Sequence, residues 1–339
     1  MKIKKDILCQ IDKVYATCIS EHNEELILIG ASEGEGESRA FIGDKNTVMW
    51  EKPGGTMNVV PVPGKENEFF ATLKFLPVFA AQDCTLNYVR LKDGNWQVTE
   101  IMKFPYLHRF DLFEKNGRIY LVGATLCELK EFQQDWSKPG AVFVGELESD
   151  LTLPINIKTI YKGITKNHGL CRVKNWHEGD AYLVTGVEGV FSLRIPENPF
   201  TDKWEINRLM DNEVSDIAAV DIDNDGVLEL ATIEPFHGNK CVIYKKEEHG
   251  YKPIKDYDIE FGHVIWGGDV AGMPVFLLGY RKEKMELLAI GKDGNDFKTT
   301  LIDQNVGPSQ ISVLNKDQKT YILSANRQID ELALYTVSK

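Results

Sequence analysis

The sequence predicts an all-β chain folded as a seven-bladed β-propeller of four-stranded blades, and three observations carry that expectation. Apolar residues with a 3.6-residue period never persist for more than about two turns, so helices have no amphipathic face to build on. Short runs rich in Val, Ile, Leu, Tyr and Phe recur instead, broken by turn pairs such as Asn116-Gly117, Asp225-Gly226 and Asp293-Gly294. The runs come in sets of four that begin near Tyr15, Asn58, His108, His168, Ser215, His263 and Ser309. These anchors are spaced by about 43 to 60 residues, close to the repeat of a propeller blade.

The third and fourth units show the pattern most clearly. In the third, strands are expected over 107–113, 118–123, 141–147 and 157–161, with Asn116-Gly117 as the first hairpin turn. In the fourth, which begins at His168, they follow over 181–185, 190–194 and 204–209. The last unit supplies three strands, 310–314, 320–324 and 331–337. Its missing outer strand is expected from Lys2–Gln10, which precedes the first anchor; that pairing would close the ring and remove its exposed edges. The seven units are read as one domain over residues 1–339, against a pair of β-sandwiches with coincidental spacing.

Composition narrows the function. The chain has 51 acidic and 39 basic residues and a net charge of −12, so no basic stripe is available to neutralise phosphates. Nucleic acid and anionic membrane are excluded as partners on that ground. No run of 18 apolar residues exists, and Met1-Lys2-Ile3-Lys4-Lys5-Asp6 lacks the apolar core of a signal peptide. Cys9, Cys18, Cys84, Cys127, Cys171 and Cys241 form no CxxC pair and read as reduced thiols of a cytoplasmic protein. A homo-oligomer is left open. There is no GxGxxG after a strand, no P-loop, no GxSxG and no HExxH, so dehydrogenase, kinase and serine-hydrolase readings lack support.

One motif stands out. Asp221-Ile222-Asp223-Asn224-Asp225-Gly226-Val227-Leu228-Glu229 places three carboxylates at alternating positions, a glycine for the turn and a trailing Glu. Hard oxygen ligands at that spacing can wrap Ca2+, with Asp221, Asp223, Asp225 and Glu229 as the candidate ligands. A structural clip is the expected role, and an Asp-rich turn that binds nothing is the alternative. Preceded by Ile217-Ala218-Ala219-Val220, the motif resembles the FG-GAP or VCBS-type repeat of integrin-like and bacterial propellers, in one unit of the seven.

Blade geometry sorts the remaining polar residues. Anchors and second-to-third-strand loops surround one end of the central channel, and the Asp-rich loop falls at the other. Three anchors are histidines, His108, His168 and His263, and a fourth histidine, His237, lies in a second-to-third loop. Four of the seven histidines therefore converge on one axis, while His22, His177 and His249 fall at turns or edges. Clustered imidazoles in a concave site suit a divalent transition metal such as Zn, Mn, Fe, Co or Ni. Metal-free acid–base histidines, or histidines that bind only water or ligand, are the competing readings. Glu33, Thr125, Glu188, Tyr280, Arg281, Asn326 and Arg327 share that end. Arg281 and Arg327 are the candidate substrate clamps, and Tyr280 or Glu234 the candidate base. Arg109 is a weaker candidate clamp than these two, because strand alternation can point it away from the channel.

Together, the DxDxDG unit and the pairs His168-Gly169 and Gly262-His263 make the chain similar to the propeller portion of aldos-2-ulose dehydratase. Oligogalacturonate and ulvan lyases are likewise propellers with His, Arg and Tyr at the channel mouth. The resemblance implies a carbohydrate-active lyase or isomerase that removes a proton next to a carbonyl of a small keto sugar or glycoside. The additional domains of such dehydratases are absent. Two alternatives come from other classes: a non-catalytic carbohydrate-binding or scaffold propeller, and a metal-free His/Tyr uronate lyase.

Overall fold

In the computed structural model, which describes residues 1–177 and 179–339, seven four-stranded antiparallel sheets form a ring. The innermost strands are Val14–His22, Val59–Pro61, Leu107–Lys115, Leu170–Trp176, Asp216–Val220, Gly262–Val270 and Gln310–Lys316. Each begins within two residues of its expected anchor. Every innermost strand packs against the innermost strands on either side, so the ring closes around a single axis. We number the blades one to seven in that order.

Closure comes from the N-terminal strand. Lys2–Gln10 pairs antiparallel with Glu331–Ser338, from Lys2↔Ser338 to Gln10↔Glu331, with one register shift between Ile7 and Cys9. The corner is pinned where the Ile11 amide donates to the Asp330 carbonyl at 2.8 Å and the Lys13 amide to Asp330 Oδ1 at 2.8 Å. Lys5 adds ion pairs to Asp303 at 2.8 Å and Glu331 at 2.7 Å.

The core lies between blades rather than inside any one of them. Second strands such as Glu68–Leu73 are buried over consecutive residues because both faces meet a neighbouring sheet. Outer strands such as Asn95–Lys103 are mostly exposed, with scattered inward positions. Neighbouring blades approach so closely near the axis that a Cβ at Gly267 would sit 2.7 Å from the Ala219 carbonyl oxygen. All six cysteines are free thiols. Among the described residues, no helix is long and apolar enough to cross a membrane.

Because one strand both opens and shuts the ring, deleting residues 2–10 should abolish the cooperative thermal transition and expose the edge of Glu331–Ser338. Circular dichroism melts check this, and an unchanged Tm would contradict the closure.

Candidate metal centre and channel

Local irregularities in the strands aim the site. The pairing register shifts between Val14 and Ala16, between Leu107 and Arg109, and between Gly262 and Val264. Tyr15, His108 and His263 are the residues skipped. A bulge breaks strict alternation and re-aims its side chains, so Arg109 lines the channel although alternation alone would turn it away. His168 sits just ahead of its strand, on a segment that Asn167 holds by donating to the Gly169 and Thr185 carbonyls, each at 2.9 Å. Its neighbour Gly169 has no room for a side chain: a Cβ there would lie 2.6 Å from Thr185 Oγ1 and 2.9 Å from Asp216 Oδ1. His237 lies in the loop after Glu229–Glu234, with its amide donating to Ser215 Oγ at 3.2 Å.

The four imidazoles meet. Ring centroids are 4.7 Å apart for His168–His263, 5.0 Å for His168–His237, 5.0 Å for His237–His263 and 4.9 Å for His108–His168. Nitrogen atoms of His168, His237 and His263 all lie within 4.8 Å of one another, and His108 stands beside that trio. His108, His168 and His263 are only 3%, 1% and 2% exposed. Burial pushes all four below the ordinary 6.5, and the Arg109 and Arg281 guanidiniums push the same way. His237 falls to about 3. The cluster is therefore neutral near pH 7, with one lone-pair nitrogen on each ring.

Hydrogen bonding tells which nitrogens are left over. His263 Nδ1 lies 2.7 Å from the Ser309 carbonyl, which can only accept, so Nδ1 carries the proton and Nε2 the lone pair. His168 Nδ1 is 3.6 Å from Asp216 Oδ2. His108 bonds to the Asn167 backbone and leaves Nδ1 without a partner. Both nitrogens of His168 and Nε2 of His237 are also buried without hydrogen-bond partners. Buried polar atoms are normally satisfied. Three rings whose nitrogens approach this closely, with unpartnered nitrogens on His168 and His237, suit a cation, with the Ser309 carbonyl and the Asp216 carboxylate placed to orient His263 and His168.

A cavity of about 650 Å³ runs along the axis from Arg109, His168, Asp216 and His263 toward Lys174 and Asp221. His168 and His263 thus stand at one end of this cavity, which extends toward the hairpin end, while His108 and His237 are not among its lining residues. Behind them, two long second-to-third loops (74–84 and 126–139) bring in Phe79 and Trp136. Phe79 lies 6.2 Å from His237, Phe236 stacks on His237 at 4.1 Å, and Lys130 Nζ sits 3.2 Å over the Trp136 ring. Asp216 escaped the sequence reading, although it directly follows the Ser215 anchor and that position was the available signal. Its carboxyl faces the cavity, and burial pushes it up to about 7 against the pull of Arg109.

Other candidates have partners of their own. Tyr280 is buried and donates to Glu286. Glu234 Oε1 accepts from Thr232 Oγ1 at 2.5 Å and from Tyr244 at 2.8 Å. Arg281 donates to Gln328 Oε1 through Nε at 3.1 Å and through an Nη at 2.9 Å, and faces Phe261 at 5.2 Å. Arg327 donates to Glu33 at 2.6 Å. None of these four lines the central cavity.

The Asp-rich loop folds as a compact turn. Asp221 accepts from the amides of Asp225 at 3.0 Å and Gly226 at 2.9 Å, and carboxylate oxygens of Asp221, Asp223 and Asp225 lie within 4.8 Å of one another. Lys245 reaches into it, with Nζ 2.8 Å from Asp223, 2.6 Å from Asp225 and 2.9 Å from Glu229. Lys292 of blade six adds a contact to Asp223 at 3.2 Å. A calcium ion here would take the place of the Lys245 ammonium.

Two outcomes follow. The folded-state values of the four histidines lie below those of the unfolded chain, so in acid the unfolded chain binds more protons. The neutral cluster's contribution is complete above about pH 6.5 and is lost as the pH falls, at up to about 1.4 kcal/mol per pH unit for each ring. Urea melts of metal-free protein should show this slope, and His237→Asn should reduce it by about one proton; a flat profile between about pH 6.5 and 4 would contradict a buried neutral cluster. For the Asp-rich loop, Lys245→Met in calcium-free buffer should lower Tm by about 2–4 °C, and added calcium should restore it. An unchanged Tm would contradict the role given to Lys245.

No protein-family model matches the chain, and no curated protein matches it. The likeness to FG-GAP and VCBS repeats therefore rests on the Asp-rich motif alone. Many solved structures share the fold. Sqt1 of Saccharomyces cerevisiae aligns with a TM-score of 0.56 at 9% identity, over 92% of this chain and 81% of that one. A candidate 6-phosphogluconolactonase from Bacteroides fragilis aligns at 0.54 and 11%, over 95% and 92%. A candidate oxidoreductase (glucose dehydrogenase) from Thermus thermophilus aligns at 0.50 and 11%, over 99% and 100%. At such identities the likeness is one of fold: the chain is similar to these proteins in its propeller architecture.

Proposed function

We propose that the chain is a carbohydrate-active lyase or isomerase that holds a divalent transition metal on His168, His237 and His263, with His108 beside them. The reaction is proton removal next to a carbonyl of a small keto sugar or glycoside, followed by β-elimination or isomerisation. One observation carries this reading: three neutral imidazoles with nitrogens within 4.8 Å of one another, two of which, His168 and His263, line a cavity of about 650 Å³. That volume suits a mono- or disaccharide.

When bound, such a metal supplies Lewis-acid polarisation of a substrate carbonyl. The chain's own groups do the rest. Asp216, whose carboxyl is pushed up to about 7 by burial, faces the cavity beside His168 and moves the proton. Arg109, held against the His168 carbonyl at 2.9 Å, supplies fixed positive charge where an enolate would form. Tyr280 and Glu234, engaged by Glu286 and by Thr232 and Tyr244, support the loops around the site in this reading. Arg281 and Arg327 order the loop face, and Arg281 also keeps His237 and His263 uncharged.

Protein purified without chelators or a histidine tag should contain near-stoichiometric Zn, Mn, Fe, Co or Ni by elemental analysis. His168→Ala should lose that metal. Asp216→Asn leaves an amide oxygen that can still orient His168, so it should keep metal at saturating concentration while lowering kcat on a keto-sugar or glycoside substrate by about 100-fold or more. Turnover that survives both substitutions and chelation would overturn the proposal and favour a metal-free lyase.

A further inference from the structure

Arg109 brings a full positive charge into the channel wall with its side chain only 8% exposed. Two bonds hold it still: Nε donates to the His168 carbonyl at 2.9 Å, and one Nη donates to the Met57 carbonyl at 3.3 Å. The Tyr15 ring lies 5.9 Å from the guanidinium carbon. None of these partners is an anion, and among the described residues no carboxylate lies within ion-pair distance of Arg109, although Asp216 across the same cavity feels its charge. A buried guanidinium bonded only to carbonyls and a ring, with no paired carboxylate, is incompletely neutralised. Its second Nη is left for the cavity that it lines.

The rest of the wall is suited to a polyol. Thr17 and Ser312 present hydroxyls 3.0 Å apart, and Gln310 donates to Asn58 Oδ1 at 3.1 Å. All four line the same cavity. Asp111 and Asp216 also face it, but Asp111 already accepts from Tyr182 at 2.7 Å and neither carboxylate forms an ion pair with Arg109. The guanidinium therefore remains open to an anion from outside.

We infer that the channel takes an oxyanionic sugar, either a sugar acid or a sugar phosphate, with the anion on Arg109 and the hydroxyls along Thr17, Asn58, Gln310 and Ser312. The inference deepens the proposed function and relies on it for where the chemistry happens. The anion contact itself requires no metal. A guanidinium whose orientation is already fixed forms such a contact with little ordering cost, and the planar fork matches carboxylate and phosphate oxygens.

Calorimetric titration of chelator-treated protein tests this with D-gluconate, D-glucose 6-phosphate and D-glucose. One or both anions should bind at least about tenfold more tightly than D-glucose, and which of them does so identifies the anion. Arg109→Gln should erase that preference. Arg109→Lys, which keeps the charge without the fork, should retain part of it and serves where the Gln variant does not fold. D-glucose binding as tightly as both anions, or an undiminished preference in both variants, overturns the inference. Since the titration uses metal-free protein, anion binding stands even if no metal is found. Absent anion preference in protein that carries stoichiometric metal when untreated would overturn the anion site alone.

Discussion

A closed ring of sheets has one axis, and the first residue of each innermost strand is forced toward it. That constraint underlies everything at the site. His108 and His263 are carried to the axis by bulges at the starts of their strands, and His168 by the segment just before its strand. Remove the pairing of Lys2–Gln10 with Glu331–Ser338 and the ring has no reason to hold its diameter, so the imidazoles lose their shared centre.

Burial then turns convergence into chemistry. In water, four neighbouring imidazoles would be partly charged and would repel one another. Packed against Phe75, Phe236, Phe261 and Tyr15, and beside two guanidiniums, they are held neutral. Neutral rings expose lone pairs, and the Ser309 carbonyl fixes which nitrogen of His263 carries the proton. The same burial raises Asp216 toward neutrality. One physical effect, desolvation, thus shifts a carboxyl and its neighbouring imidazoles in opposite directions, and each shift favours the neutral form.

The architecture was legible in the sequence because blade repeats are long and regular, and each innermost strand starts within two residues of its anchor. The histidine convergence followed from that repeat. What the sequence hid depends on single-residue irregularities and on distant partners. A bulge cannot be read from composition, so alternation left the direction of Arg109 open, and it is the bulge that lets it line the channel. Asp216 follows Ser215 at an anchor, but without a pairing register nothing distinguished the residue that faces the cavity. Tyr280 and Glu234 looked available because their partners, Glu286, Thr232 and Tyr244, meet them only through local folding. Lys245, which neutralises the Asp-rich loop, comes from the third strand of the same blade, 20 residues beyond Asp225. Two long loops that cap the histidines with Phe79 and Trp136 gave no sign of their direction.

In the proposed site His168, His237 and His263 hold one metal ion, separate from the Asp-rich loop. Electron paramagnetic resonance of chelator-treated protein loaded with one equivalent of copper(II) tests it most directly. The account predicts nitrogen superhyperfine splitting from several imidazoles, abolished in His168→Ala. A signal from oxygen ligands alone, unchanged in that variant, would place the ion on carboxylates and contradict the account.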